Sequence, residues 1–420
     1  MNKILSKKEV EILLNKEREL YNNFKSSSLK LDMSRGKPCP AQLDLSQGLF
    51  DVLTSSASVK GVQDYRNYGL IDGIPELKVV ISELIEVEQG ELIIAGNSSL
   101  NLMYDSLQRA MQFGIFGEQP FNKQNKLKWL APVPGYDRHF AITEAFGIEM
   151  INIKMNSDGP DMDAIEEAVL DPAVKGIWCV PKYSNPQGII YSDAVVERFA
   201  KLKPAAKDFR IYWDNAYMIH TLEKTDAEMM NILLAAKKYD NEDIVYMFGS
   251  TSKISFAGGG IAFVASSPKN IAEIKKHMSV QTIGHDKINQ YAHYLYFKNA
   301  NNVKKHMLKH SKIIAPKFEA VLKVLDSELK PLNIAAWSKP RGGYFISCDL
   351  PKNTARRTVQ LAREAGVIFT PAGSTFPYGR DSDDSNVRIA PTLPDIEDLT
   401  TAMRVFCCAA KIAYYEGLLN

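Results

Sequence analysis

Between residues 90 and 265 the chain alternates short apolar runs with segments whose apolar positions recur at helical spacing. The runs are ELIIAG from residue 91, KWLAPV from 128, GIWCVP from 176, RIYWDN from 210, DIVYMFG from 243 and IAFVAS from 261. A strand covered on both faces loses the inside–outside alternation, so these runs predict a mostly parallel sheet between layers of helices, a three-layer α/β domain. The opening stretch MNKILSKKEVEILLNKERELYNNF scatters charges through helically spaced apolar residues. It predicts an amphipathic helix, and neither a signal peptide nor a membrane span. NNVKKHMLKHSKIIAPKFEAVLKVL, after residue 300, predicts a long basic helix, solvated and bridging to a second unit. From GGYFISCDL at 342 the pattern breaks into short strands and helices, a smaller α+β domain. The expected division is 1–55 as N-terminal helix and part of the small domain, 56–305 as the large domain, and 306–420 as the C-terminal small domain.

A chain of 420 residues exceeds one ordinary core, which agrees with two domains. Lys and Arg number 51 against 49 Asp and Glu, so nothing in the balance calls for nucleic acid, and any anion must be bound locally. Five cysteines without a CxxC spacing argue against a disulfide framework or zinc site and suit a reducing cytoplasm. No GxSxG or Walker sequence occurs. His306 and His310 share a helical face among lysines, which predicts solvated surface, and Asp381, Asp383 and Asp384 in GRDSDDSN predict a solvated turn.

In parallel sheets chemistry gathers beyond the carboxyl ends of the strands, and four such ends carry polar residues. Asn97, Ser98 and Ser99 follow the first run; they suit a helix cap or an anion site equally, since both use the same free N–H groups. Asn185 in PKYSNPQG precedes a proline and a glycine turn, and Asp214 in DNAY stands at a strand end with Tyr217 one turn on. Turn and capping chemistry would explain these two as well. Lys253 in STSK, flanked by Ser250 and Ser252, is harder to explain structurally, because a lysine at the mouth of a buried strand needs a reason to leave water.

Taken in order, LDMSRGKP, YRNYGLIDGIPELK, GNSSLNLMYD, PVPGYDRHFAI, PKYSNPQG, YWDNAY, STSK, RGGYF and NVRIA resemble the fold-type I pyridoxal phosphate aminotransferases. Within them, the likeness is to the bacterial aspartate aminotransferase group with SRGKP near the N-terminus. The resemblance implies that Lys253 holds the aldehyde of pyridoxal 5′-phosphate and shuttles the substrate proton, and that Asp214 faces the pyridine nitrogen. It gives Asn185 and Tyr217 the ring's phenolic oxygen and Tyr136 its face. The phosphate goes to Asn97, Ser98, Ser99, Ser250 and Ser252. It implies a homodimer in which Tyr68 reaches the neighbouring site, Arg388 as clamp of the substrate α-carboxylate, and Gly36 as close backbone approach. Aspartate and 2-oxoglutarate need a second cation, for which Arg35 and Arg138 are candidates, Arg35 ahead. Many relatives carry an arginine shortly after the lysine to meet the phosphate; here the region reads FAGGGIAF, so hydroxyls, amides and a helix dipole must serve. A lyase of the same fold, and a non-catalytic regulator lacking its DNA-binding module, remain alternatives.

Overall fold

The computed structural model describes residues 6–54 and 59–419, so the expected boundary at 55/56 lies outside the described residues. The strands are β1 (Leu31–Met33), β2 (Leu92–Ile94), β3 (Lys128–Val133), β4 (Glu149–Asn156), β5 (Gly159–Pro160), β6 (Val174–Cys179), β7 (Arg210–Asp214), β8 (Val245–Ser250), β9 (Ala262–Ala265), β10 (Ala336–Trp337), β11 (Ile346–Asp349), β12 (Val367–Phe369) and β13 (Asn386–Ile389). One sheet of eight runs β2-β9-β8-β7-β6-β3-β4-β5. Its centre, from β8 to β4, is parallel throughout; β9 is antiparallel to both β2 and β8, and β5 is an antiparallel edge. All six apolar runs lie in this sheet.

The strand residues divide between two cores, one on each face. Ile94, Leu130, Ile177, Ile211, Trp213, Val245 and Met247 enter one, whereas Ile93, Trp129, Trp178, Tyr212, Tyr246 and Phe248 enter the other. Every second residue is apolar and so is every residue between, which is why the runs read as continuous. β4 has no such run behind it. Its residues alternate exposed and buried beside the sheet's edge, a pattern that a search for apolar runs passes over.

A second core lies between the helix Lys7–Ser26, β11, β12, β13 and the helices Ala355–Glu364 and Ile396–Leu419. Lys7–Ser26 starts with a reciprocal cap: Glu9 N donates to Ser6 Oγ at 3.3 Å, and Ser6 N donates to Glu9 Oε2 at 2.8 Å. The helix Ala300–Glu328 does bridge, with Val303 and Met307 in the large core and Phe318, Val321 and Leu325 in the second. It corrects the expectation of a solvated helix: the helix is an amphipathic rod with a buried face, and even Lys317 is buried, its Nζ donating to the carbonyls of Thr392, Leu393 and Pro394. Position 305/306, the other expected boundary, falls inside this continuous helix. Among the described residues no helix is long and apolar enough to cross a membrane.

Candidate active site

Asp214 ends β7 and Ser250 ends β8, and the two strands are parallel neighbours, so their following loops leave from one rim of the sheet. Asn185 follows β6 and Tyr136 follows β3 on the same rim. Asp214 is buried; its Oδ2 accepts a hydrogen bond from His139 Nε2 at 3.0 Å, while its Oδ1 is buried without a partner among the described residues. His139 stacks on Trp178 with ring centres 4.6 Å apart, and Trp178 Nε1 donates to Thr143 Oγ1 at 2.7 Å, so the partner of Asp214 is itself fixed. Tyr136 meets His139 edge-on at 4.9 Å, and burial, followed by the charge of Asp214, pushes its hydroxyl up to about 12.

Lys253 sits in the turn after β8, with Nζ 4.9 Å from the ring centre of Tyr217 and 6.0 Å from that of Tyr344. Burial holds its amine below the usual lysine range, and the charge of Asp214 opposes that shift. Behind Tyr344 runs a buried polar chain. Gln42 Nε2 donates to Tyr344 Oη at 2.9 Å and lies 3.1 Å from His310 Nδ1; His310 Nε2 is 3.1 Å from His306 Nε2, which is 3.0 Å from the carbonyl of Ile254. Both histidines are therefore buried, against the expectation of solvated surface. Their four-residue spacing puts them on the inner face of Ala300–Glu328, and burial, then the neighbouring His306, pushes His310 down to about 3. Asp381 is also corrected: it is buried and accepts from the N–H groups of Asp383, Ser385 and Asn386, so it organises the loop before β13.

The hydroxyl residues gather at the ends of β2 and β8. Ser98 caps the helix Ser99–Phe113 by accepting from Asn101 N at 3.3 Å; Ser250 Oγ donates to Ser252 Oγ at 3.1 Å, and Ser252 Oγ to the carbonyl of Asn97 at 3.2 Å. Gly258 and Gly259 face open space, whereas a Cβ on Gly260 would come within 2.9 Å of Thr251 Oγ1 and of the Phe256 carbonyl. Asn289 Nδ2 holds this loop by donating to the carbonyls of Gly259 and Gly260.

Arg388, on β13, is 6% exposed. Its Nη1 donates to Asp137 Oδ1 at 2.7 Å and to Asn185 Oδ1 at 3.3 Å, and its Cζ lies 4.8 Å from the centre of the Phe345 ring. Gly36 touches the other part of this wall, since a Cβ there would fall 2.6 Å from Phe345 Cζ. Arg35 and Arg138 are both exposed, and among the described residues neither forms an ion pair. Tyr68 is 77% exposed and is not brought to the other residues within one chain. Asp137 and His139 escaped the sequence reading although both lie in the quoted PGYDRHFAI; a histidine three residues after Tyr136, hence on the same helical face, was the available signal. Tyr344 lies in the quoted RGGYF, but its pairing with Gln42, 302 residues away, had no signal in the sequence.

Residues 5–420 match the family model described as aspartate amino-transferase. The chain is 44% identical over 403 residues to the aspartate aminotransferase of Corynebacterium glutamicum, covering 95% of this chain and 93% of that one. It superposes on the crystal structure of an aspartate transaminase from Corynebacterium glutamicum with a TM-score of 0.96 at 40% identity, over 99% of this chain and 100% of that one. The alpha-aminoadipate aminotransferase of Thermus thermophilus, solved with N-(5′-phosphopyridoxyl)-L-leucine, shares the fold at 19% identity, with a TM-score of 0.75 over 93% of each chain.

Proposed function

This chain belongs to the aspartate aminotransferase family and is an aminotransferase, and from that premise we propose that it moves the amino group of aspartate to 2-oxoglutarate with pyridoxal 5′-phosphate as cofactor. One observation carries the cofactor reading: the buried Asp214, on the strand beside the one that leads to Lys253, keeps one oxygen that has no partner among the described residues. A buried carboxylate oxygen needs a donor, and a pyridine N–H supplies one, so the residues present fit the group. When bound, pyridoxal phosphate contributes an aldehyde that captures amines and a ring that draws electrons from the substrate's Cα.

The chain's own groups do the rest. Lys253 would hold the aldehyde and, as a free amine, would carry the proton between the substrate's Cα and the cofactor; its lowered pKa leaves the amine able to accept that proton. Asp214 favours a protonated ring nitrogen by charge, while His139 fixes its other oxygen. Asn185 accepts from Arg388 through Oδ1, which leaves its amide nitrogen to donate beside Tyr217. Tyr136 walls the ring's face. Asn97, Ser98, Ser99, Ser250 and Ser252 provide the neutral phosphate cradle, completed by Tyr68 from a second copy in a homodimer. Arg388 clamps the α-carboxylate, with Gly36 and Phe345 closing that side, and Arg35, or else Arg138, meets the distal carboxylate. We keep the 1–55, 56–305 and 306–420 division and a cytoplasmic location in the same proposal.

The deciding experiment is an amino-acid panel with 2-oxoglutarate as acceptor, following both products. Aspartate should lead. If alanine or aromatic amino acids outcompete it, the dicarboxylate assignment fails and the aminotransferase remains. For the shared site, mixing inactive Lys253→Ala subunits with Tyr68→Phe subunits should restore part of the activity; a fully active monomer would refute it.

A further inference from the structure

The guanidinium of Arg388 is held on several sides before any ligand arrives. Nη1 carries Asp137 and Asn185, Nη2 is 3.5 Å from Thr370 Oγ1, and the Phe345 ring covers the plane. Nε is buried and, among the described residues, has no partner. Among the described residues Asp137 is the carboxylate within ion-pair distance of Arg388, and it stands on Nη1.

Asp137 is placed so that it can leave. It is the first residue of the helix Asp137–Ala145, where free N–H groups and the helix dipole stabilise an anion with or without the arginine. Its side chain is 33% exposed, so water can solvate it when the pair opens. Arg388 has no such freedom, because it lies in β13, whose residues are all buried, and packs on Phe345.

We propose that Asp137 is an exchangeable counterion, which neutralises Arg388 in the ligand-free site and leaves Nη1 when the substrate's α-carboxylate arrives. This rests on Arg388 being the carboxylate clamp. Two carboxylates on one guanidinium repel each other, so an arriving α-carboxylate competes with Asp137 for Arg388. The effect weakens ground state and transition state alike, and it therefore falls on KM and not on kcat. Asp137 is in this sense a positioning residue that sets how tightly α-carboxylates bind.

The test is calorimetric binding of succinate, a dicarboxylate with no amino or oxo group to react, to the cofactor-loaded protein, together with KM and kcat for aspartate. Asp137→Asn keeps the shape without the charge, and Asp137→Ser keeps a residue suited to a helix start. Either should tighten succinate by roughly fivefold and lower KM by a similar factor. A gain in at least one variant supports the exchange; unchanged or weaker binding in both overturns it and leaves Asp137 a fixed support of the arginine. Arg388→Ala separates this from the underlying reading. If that variant still binds succinate as the wild type does, Arg388 is not the clamp and both statements fall. If it loses succinate while neither Asp137 variant gains, only the exchange falls.

Discussion

At one end of the site Arg388 is buried in a strand with Asp137 already on its nitrogen, whereas at the other Ser98, Ser99, Ser250 and Ser252 stand half-buried beside a glycine loop that carries no cation. The two ends handle negative charge by different physics. A buried guanidinium concentrates recognition in one group, so it is strong, directional and vulnerable to a single change. A set of hydroxyls and a helix N-terminus spreads recognition over many weak donors, none of them decisive. Lys253 stands between the two and belongs to neither, its amine kept largely out of water by its surroundings.

The comparison breaks most severely at that middle position. Lys253→Ala should lower transamination by about a thousandfold or more in a coupled keto-acid assay, because it removes the proton-transferring amine. An active variant would end the mechanism. Next comes the charged end: Arg388→Ala should reduce kcat/KM for aspartate by about 2–5 kcal/mol, the loss expected when one member of a buried charge pair is truncated. By contrast, Ser252→Ala should weaken cofactor affinity, measured by fluorescence titration, by only about 0.5–1.5 kcal/mol. A Ser252 loss as large as that of Arg388 would mean that the neutral end is not distributed at all.

The smallest effect concerns pH. Burial lowers the pKa of Lys253 in the folded state, so between that lowered value and the ordinary lysine range the unfolded chain binds more protons than the folded one. Stability of the apoprotein from this group is therefore lowest below the lowered pKa and rises with pH through the window, with a slope of at most about 1.4 kcal/mol per pH unit. Urea midpoints at several pH values should show a shallower rise in Lys253→Met. Equal slopes in the two proteins would mean that the amine is not desolvated.

How much of this could be read from the chain follows from the range of each interaction. The six strands with apolar runs were legible because two-sided burial writes an unbroken run, and the strand-end placement of Asp214, Asn185 and Lys253 was legible because each sits within a few residues of such a run. β4 was not, since one exposed face gives it the alternation of an ordinary amphipathic strand. His306 and His310 were misread for a related reason: their neighbouring lysines announce a solvated helix, while the partners that bury them, Gln42, Ser46 and the Ile254 carbonyl, lie far away in sequence. Asp137 was in plain view, and only its ion pair with Arg388, 251 residues on, shows that it matters.

The helix Lys7–Ser26 lies against Ile396–Leu419, with Arg18 Nη2 3.0 Å from Glu416 Oε1 across 398 residues of sequence. During synthesis the first of these helices leaves the ribosome with Val10, Leu14 and Tyr21 bare, and its partner is made hundreds of residues later. Most of a helix's stability in a protein comes from packing its apolar face, so the earlier one waits, with that stripe exposed, until the later one is made. A chain that stops short of the later helix thus leaves this apolar stripe uncovered.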